Sequence, residues 1–406
     1  MNKNLLTRAA SAALVLTLGA PWALADDLEF HGYIRSGAAL NQDLLNASKD
    51  NGHSGISSNL IGRLGNEDDT WVESELVKKI TADDGAWTKL HIGASYSSTE
   101  MANPLKTAEV GSAYVEVGGF DFDPQAVFFV GKKPNREDIH IMDLKWRNFD
   151  GAGFGVAGAL GGNLDVSVLT SGNTTFAAAV PLNLDLRYKV LSNLQLEAGA
   201  SYAKDGTKAT GDATLSDHGF QGAVVYYWDK FYGLPIGWMT LAAQAGYGMN
   251  GAGGSNWNAL GSLGNVWTKQ DSAAFRLVTS GTGSVGAFDV AAGLWGEYDL
   301  HGPNGTKPYL VAASAVRPVW KITKYVSLVG EAGASVQQDR TIADAALVSY
   351  KFTLAPTLAL DSGVGARPQL RLFVSYVGQD ERLGKISTDG TQDHEVKFGV
   401  QTEVWW

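Results

Sequence analysis

The chain has 406 residues, of which 49 are glycine, 41 are aromatic (12 Trp, 14 Tyr, 15 Phe) and none is cysteine, and its formal net charge is −10. Absence of cysteine removes disulfide and thiolate chemistry, and an acidic chain without a basic cluster is a poor partner for nucleic acid. Charged residues make up only 18% of the sequence, yet the mean hydropathy of −0.08 excludes a helical membrane protein.

The chain opens on MNKNLLTRAASAALVLTLGAPWALA. Lys3 and Arg8 precede the apolar run Ala9 to Leu18, and Ala23-Leu24-Ala25 supplies small residues before Asp26, the pattern of a secretory signal peptide cleaved after Ala25. The run is shorter than the ~20 residues a spanning helix needs. Residues 26–406 then form one domain of 381 residues, with 30 basic against 42 acidic side chains. No later segment approaches 18 unbroken apolar residues. If this domain enters a membrane it does so as a closed barrel, since only helices and barrels satisfy every backbone group in lipid.

From Leu28 onward a period of two recurs, which means strands with one apolar and one polar face. Leu28, Phe30, Ile34, Ser36 and Ala38 alternate with Glu29, His31, Tyr33, Arg35 and Gly37. Leu184, Leu186, Tyr188 and Val190 alternate with Asp185, Arg187 and Lys189; Leu194, Leu196, Ala198, Ala200 and Tyr202 alternate with Gln195, Glu197, Gly199 and Ser201. Val348, Tyr350, Phe352 and Leu354, then Leu370, Leu372, Val374 and Tyr376, repeat the pattern. The strands run to about ten residues, the length of a tilted membrane strand, and their polar faces carry many charges, which a water-filled lumen tolerates. At roughly 40 residues per hairpin with its long loop, 381 residues give about 16 to 20 strands. Gly/Asn/Ser/Asp-rich stretches at 41–58, 204–217, 250–269, 301–307 and 379–393 are the natural external loops. GAGFGVAGALGG (Gly151–Gly162) has no following Lys-Ser/Thr and is read as a strand with small inward residues, not a phosphate loop.

The chain ends HEVKFGVQTEVWW. Val396, Phe398, Val400, Thr402, Val404 and Trp406 form the apolar file, while Trp405 falls with Lys397, Gln401 and Glu403. The two tryptophans therefore look in opposite directions.

FHGYIRSG (Phe30–Gly37), RLGNEDDTWVESEL (Arg63–Leu76), VGKKPNREDIHIMD (Val130–Asp143), RPQLRLFVSY (Arg367–Tyr376) and FGVQTEVWW (Phe398–Trp406) together resemble the maltoporin family of sugar-selective outer-membrane porins, in family order along the whole mature chain. The resemblance implies an all-β, antiparallel transmembrane barrel of 18 strands in the bacterial outer membrane, a homotrimer, and an inward-folded loop that narrows each pore. It implies passive diffusion of sugars along a file of aromatics, here Tyr33, Trp71, Trp405 and Trp238. Across from them runs a polar track of Arg35, Arg63, Glu73, Arg136, Asp138, His140 and Asp143. Parity agrees: Tyr33 and Arg35 share the polar face of the first strand, Arg63, Trp71 and Glu73 have one parity on the next, and Trp405 is on the polar face of the last. The terminal Trp406 resembles the aromatic by which barrel-assembly machinery recognises its clients.

Three departures bear on substrate. Lys145 stands where maltodextrin-selective members have a tyrosine, as it does in the family's aryl-β-glucoside porins. Val364, Gly365 and Ala366 replace the aromatic before the Arg-Pro pair, and Met101 lies near the place of a tryptophan that members contribute from a neighbouring subunit. The rival expectation on the same barrel is a general diffusion porin for small hydrophilic solutes and ions. A barrel enzyme is a rival of another class, but no Ser-His-Asp or paired-acid motif stands apart from the barrel pattern. The histidines at 31, 53, 91, 140, 218, 301 and 394 have no metal-ligand spacing, so no metal or cofactor is expected. Tyr350 and Tyr376, on the apolar parity, are read as interfacial girdle.

Overall fold

The computed structural model describes residues 27–43, 56–67, 69–98, 107–170, 180–203, 215–251, 260–266, 268–300, 308–339, 346–387 and 390–406. The signal segment and Met101 lie outside the described residues. Twenty strands follow in chain order: β1 (Leu28–Asn41), β2 (Thr70–Thr81), β3 (Trp87–Ser98), β4 (Thr107–Gly118), β5 (Val127–Lys133), β6 (Arg136–Ile139), β7 (Leu144–Asn148), β8 (Gly151–Gly158), β9 (Leu164–Thr170) and β10 (Leu182–Leu191). Then come β11 (Leu194–Tyr202), β12 (His218–Trp228), β13 (Gly237–Gly248), β14 (Ala273–Val285), β15 (Phe288–Asp299), β16 (Tyr309–Lys321), β17 (Val326–Asp339), β18 (Leu347–Ala359), β19 (Gln369–Gln379) and β20 (His394–Trp405).

Eighteen of them pair antiparallel in one sheet, each with its neighbour in sequence except that β5 pairs directly with β8. The sheet closes where β1 pairs with both β2 and β20, so no edge is left for lipid to meet. The expected strand count holds. The remaining pair, β6 and β7, is a separate hairpin inserted between β5 and β8.

The faces are inverted relative to a water-soluble domain. On β19 the outward residues Leu370, Leu372 and Val374 are about half exposed, at 58%, 61% and 48%, while the inward Arg371, Phe373 and Ser375 are at 5%, 4% and 1%. The same parity carries Arg317, Glu331, Lys351, Gln401 and Glu403 inward. Apolar out and charged in is what a lipid-embedded cylinder with a polar bore requires. The terminal pair divides as parity demands: Trp405 pairs with Tyr33 across β20 and β1, whereas Trp406 packs on the outward Phe30 at 5.5 Å.

One half of the bore is filled. Ile61 from the segment after β1, Ile139, Met142 and Trp146 from the hairpin, and Trp295 and Val311 from the wall form one buried apolar cluster. Gly293 on β15 permits this, because a Cβ there would strike Ile139 and Met142. Parts of two stretches expected outside, 41–58 and 250–269, therefore lie inside, Ile56 of the first in that same buried cluster. Residues 56–67 fold into the lumen, where Lys351 donates to the Gly62 and Leu64 carbonyls (2.6 and 2.9 Å) and the Trp295 indole donates to Asn59 O (2.7 Å). Between β13 and β14, Gly261 donates its N–H to Gln221 on the inner wall and accepts from Asn148. Composition marks such stretches as loops but carries no sign of the direction in which they fold.

Candidate functional site

The open half of the bore is bounded by β20, β1, β2 and β3 on one side and by the β6–β7 hairpin on the other. Between them lies a cavity of about 730 Å³ lined by Tyr33, Arg35, Arg63, Asp69, Trp71, Glu73, Ser97, Ser98, Arg136, Asp138, His140, Asp143, Lys145 and Trp405. Eleven of the twelve residues expected from sequence are in that lining. Trp238 is not: it has the parity of the inward Gln244 but stands at the turn end of β13, half exposed and away from the cavity.

Register builds the aromatic file. Tyr33 is the cross-strand partner of both Trp405 and Glu73, and Arg35 is the partner of Trp71, so three rings from three adjacent strands share one inward face in a diagonal stagger. Arg63 corrects the parity reading, for it is not on β2, which begins at Thr70. It reaches the lumen from the turn that follows the short helix Ser58–Ile61, a turn whose Gly62 and Leu64 carbonyls are pinned to Lys351.

The polar side is a chain of charge-assisted hydrogen bonds, the strong class. Arg35 grips Asp69 with two nitrogens (2.9 and 2.5 Å) and donates to Glu67 (3.0 Å). Arg63 donates to the same Glu67 carboxylate and to the Tyr33 hydroxyl (2.9 Å), which donates in turn to Glu403 (2.9 Å). Across the cavity Arg136 reaches Glu73 at 3.3 Å, and Glu73 accepts from the Trp71 indole at 2.8 Å. Burial acts against the Arg136 and Arg63 charges, but the facing carboxylates, Asp150 and Glu73 for one and Glu67 and Glu403 for the other, raise both guanidinium pKa values. Both stay cationic in the bore.

Asp138 and Lys145 face each other across the hairpin register, and neither side chain is held by an ion pair among the described residues. They are the charges of the lining left to meet a solute. Asp143 terminates the helical turn His140–Met142 in the left-handed region (φ 51°), which turns the chain back into β7.

Sequence reasoning missed the group that ties the site together. Glu403, 2% exposed, has Arg367 at 2.9 Å, Arg371 at 3.0 Å, Arg63 at 3.4 Å, His140 at 3.3 Å and the Tyr33 hydroxyl at 2.9 Å. The Arg367 guanidinium also lies 3.8 Å from the Trp405 ring centre, covering one face of the indole, while His140 meets that ring edge-on. The signal for Glu403 was its place in the polar file of the last strand, beside Trp405. Nothing in sequence shows five partners converging on it.

The hairpin itself is locked to the wall through Arg147, which is fully buried. It donates to Asp185 (2.6 Å), Glu197 (3.2 Å) and Asn135 (2.8 Å) and stacks on Phe149. Gln244 adds a bond to Trp146 O (3.0 Å). Burial, followed by the charge of Glu197, pushes the nearby Glu137 carboxyl above the usual carboxylate range.

A closed 18-stranded barrel, apolar outside and charged inside, with an inward hairpin narrowing its bore, is a porin of the bacterial outer membrane, a channel rather than an enzyme. The profile described as LamB porin matches residues 28–406, and the chain belongs to that family. It is 29% identical to a protein named maltoporin 1 of Klebsiella pneumoniae, over 99% of this chain and 100% of the relative. A maltoporin of Hahella chejuensis is 27% identical, over 94% and 93%. Among solved structures, OccAB2 of Acinetobacter baumannii superposes with a TM-score of 0.50 at 7% identity, over 95% of this chain and 99% of the other, a likeness of fold alone.

Proposed function

We propose that this porin carries sugars or short oligosaccharides, of the maltodextrin or β-glucoside kind, by passive facilitated diffusion, as a homotrimer and without a cofactor. The observation that carries the reading is the staggered file of Trp71, Tyr33 and Trp405 facing Arg136, Asp138 and Lys145 across one cavity. A pyranose has an apolar C–H face, which an indole or phenol plane covers for about 0.5–1.5 kcal/mol per ring beyond buried area. Its hydroxyl rim needs donors and acceptors, which the charged track supplies. Rings on adjacent strands let a sugar exchange one partner for the next without losing all of them together. Transit demands weak sites, with dissociation constants of roughly millimolar to tens of micromolar.

Titrating the ion current in planar bilayers with maltotriose and with cellobiose tests the reading. Saturable block by one of them supports a binding path. Absent or merely proportional block would leave a general diffusion porin, in which the rings are incidental.

Lys145 sets the eyelet's ionic preference in this reading, as a compact cation close to Asp138 and Asp143. Lys145→Tyr removes that cation, so the reversal potential in a potassium chloride gradient is expected to move toward cation selectivity. An unchanged reversal potential would show that Lys145 does not face the ion path.

A further inference from the structure

We propose a second sugar-binding station at the short-turn mouth of the bore, built on Trp87. It rests on the sugar reading above and lies outside the cavity just described. Trp87 opens β3 directly after the Ala82–Ala86 turn, and short turns mark the periplasmic end of such barrels. Register puts it inward: Ser97, partner of Trp71, is ten residues along the same strand and therefore on the same face. Eight residues separate Trp87 from Ser95, the level of Tyr33 and Glu73, or about 27 Å of strand at ~3.4 Å per residue. A pyranose held at the eyelet cannot touch it.

The indole has the geometry of a platform. The ring lies against Gly118 and Gly119, where any Cβ would strike it, and the residue remains partly exposed. The Lys79 ammonium lies over the ring, 6.0 Å from its centre, and Lys89 on the same inward file pairs with Glu29 at 3.6 Å. Glu29 also accepts from His31 at 3.0 Å. A part-exposed indole flanked by ammonium donors and a carboxylate acceptor offers the two kinds of contact a pyranose requires, for its C–H face and for its hydroxyl rim. These are the same two components that line the eyelet. A lipid-facing girdle would put the ring on the other parity. This one is turned toward water, where a stacking ligand gives it a purpose that bilayer anchoring does not.

A station at one mouth affects sugar arriving from that side. The test is single-channel current noise with maltotriose or cellobiose added to one side at a time. Trp87→Ala is expected to lower the association rate from the periplasmic side by about 2- to 10-fold, the worth of one stacked ring. The rate from the loop side is expected to stay within a factor of about two, and Trp87→Phe to keep most of the wild-type rate. Unaltered ion conductance in the variants verifies the barrel. Equal changes from both sides, or none, with a wild type that is blocked normally, would overturn the station and leave the sugar reading standing. A wild type blocked by neither sugar from either side would overturn both.

Discussion

Glu403→Gln is expected to yield a barrel that is markedly less stable and more anion-selective than the parent. Three guanidiniums, those of Arg63, Arg367 and Arg371, lie within 3.4 Å of this single carboxylate. Breaking a buried charge pair by removing one partner costs about 3–5 kcal/mol, because the remaining charge is left uncompensated. Among the described residues, Arg63 is the one of the three arginines that keeps a second carboxylate, Glu67 at 2.9 Å. The amide can still accept one bond, so the loss is mainly of charge and not of volume. Urea unfolding in lipid vesicles, followed by tryptophan fluorescence, should show the earlier midpoint. Reversal potentials should show the freed cations as a shift toward chloride. A variant with parental stability and selectivity would mean that the five partners of Glu403 do not depend on its charge.

The same residue shows where sequence stops being informative. Parity reveals which side of a strand a residue occupies, because the side-chain period is two and the face inverts in lipid. That is why Tyr33, Trp71, Trp405 and Glu403 could all be placed in the bore, and why the two terminal tryptophans could be separated. Parity does not reveal who meets whom across the lumen. Arg63 and His140 are 77 residues apart and meet because two segments fold inward from different loops, which no local pattern encodes. Arg367 came with a matched motif, yet its stacking on Trp405 depends on the placement of a turn against the far end of the chain. For Trp238 the strand frame GWMTLAAQAGYG is ambiguous as to face, and no local pattern gives its height along the bore. Resemblance supplied the strand count and the inward hairpin, where spacing alone allowed about 16 to 20 strands.

The covered indole face bears on substrate as well. Arg367 occupies one side of Trp405 at 3.8 Å, so a pyranose has only the side toward the cavity. In the sugar reading proposed above, such a one-sided platform would order the sugar against the β20–β1 wall, with its hydroxyl rim turned to Asp138 and Lys145. The missing aromatic before the Arg-Pro pair is consistent with this: the file ends at a ring already stacked from behind. Selectivity then falls to the hairpin opposite, whose position in the bore becomes the variable that matters.

That position is expected to fail when Arg147 is replaced by alanine. The substitution removes the guanidinium that, among the described residues, bonds Asp185, Glu197 and Asn135 together, and leaves Glu137 facing Glu197 with Arg187, at 3.9 Å, as its remaining cation. The local cost is again about 3–5 kcal/mol. The 18-stranded wall does not depend on it, since its ladders run through other residues. Expected, therefore, is a folded channel with larger and noisier conductance and weakened block by maltotriose or cellobiose, as the hairpin leaves the bore. Acid should repair part of this. Burial and Glu197 already raise the Glu137 pKa in the parent, so the seated hairpin favours its protonated form. Stability from that proton is absent at pH values above the raised pKa, grows as pH falls through it, and is complete below the ordinary carboxylate range. Conductance noise in Arg147→Ala should diminish from neutral to mildly acidic pH, and Arg147→Lys, which restores the charge without the fork, should fall between alanine and parent. If alanine leaves conductance quiet and sugar block intact at neutral pH, the hairpin is held by Trp146, Ile139 and Met142 alone, and the ionic lock contributes nothing to the eyelet.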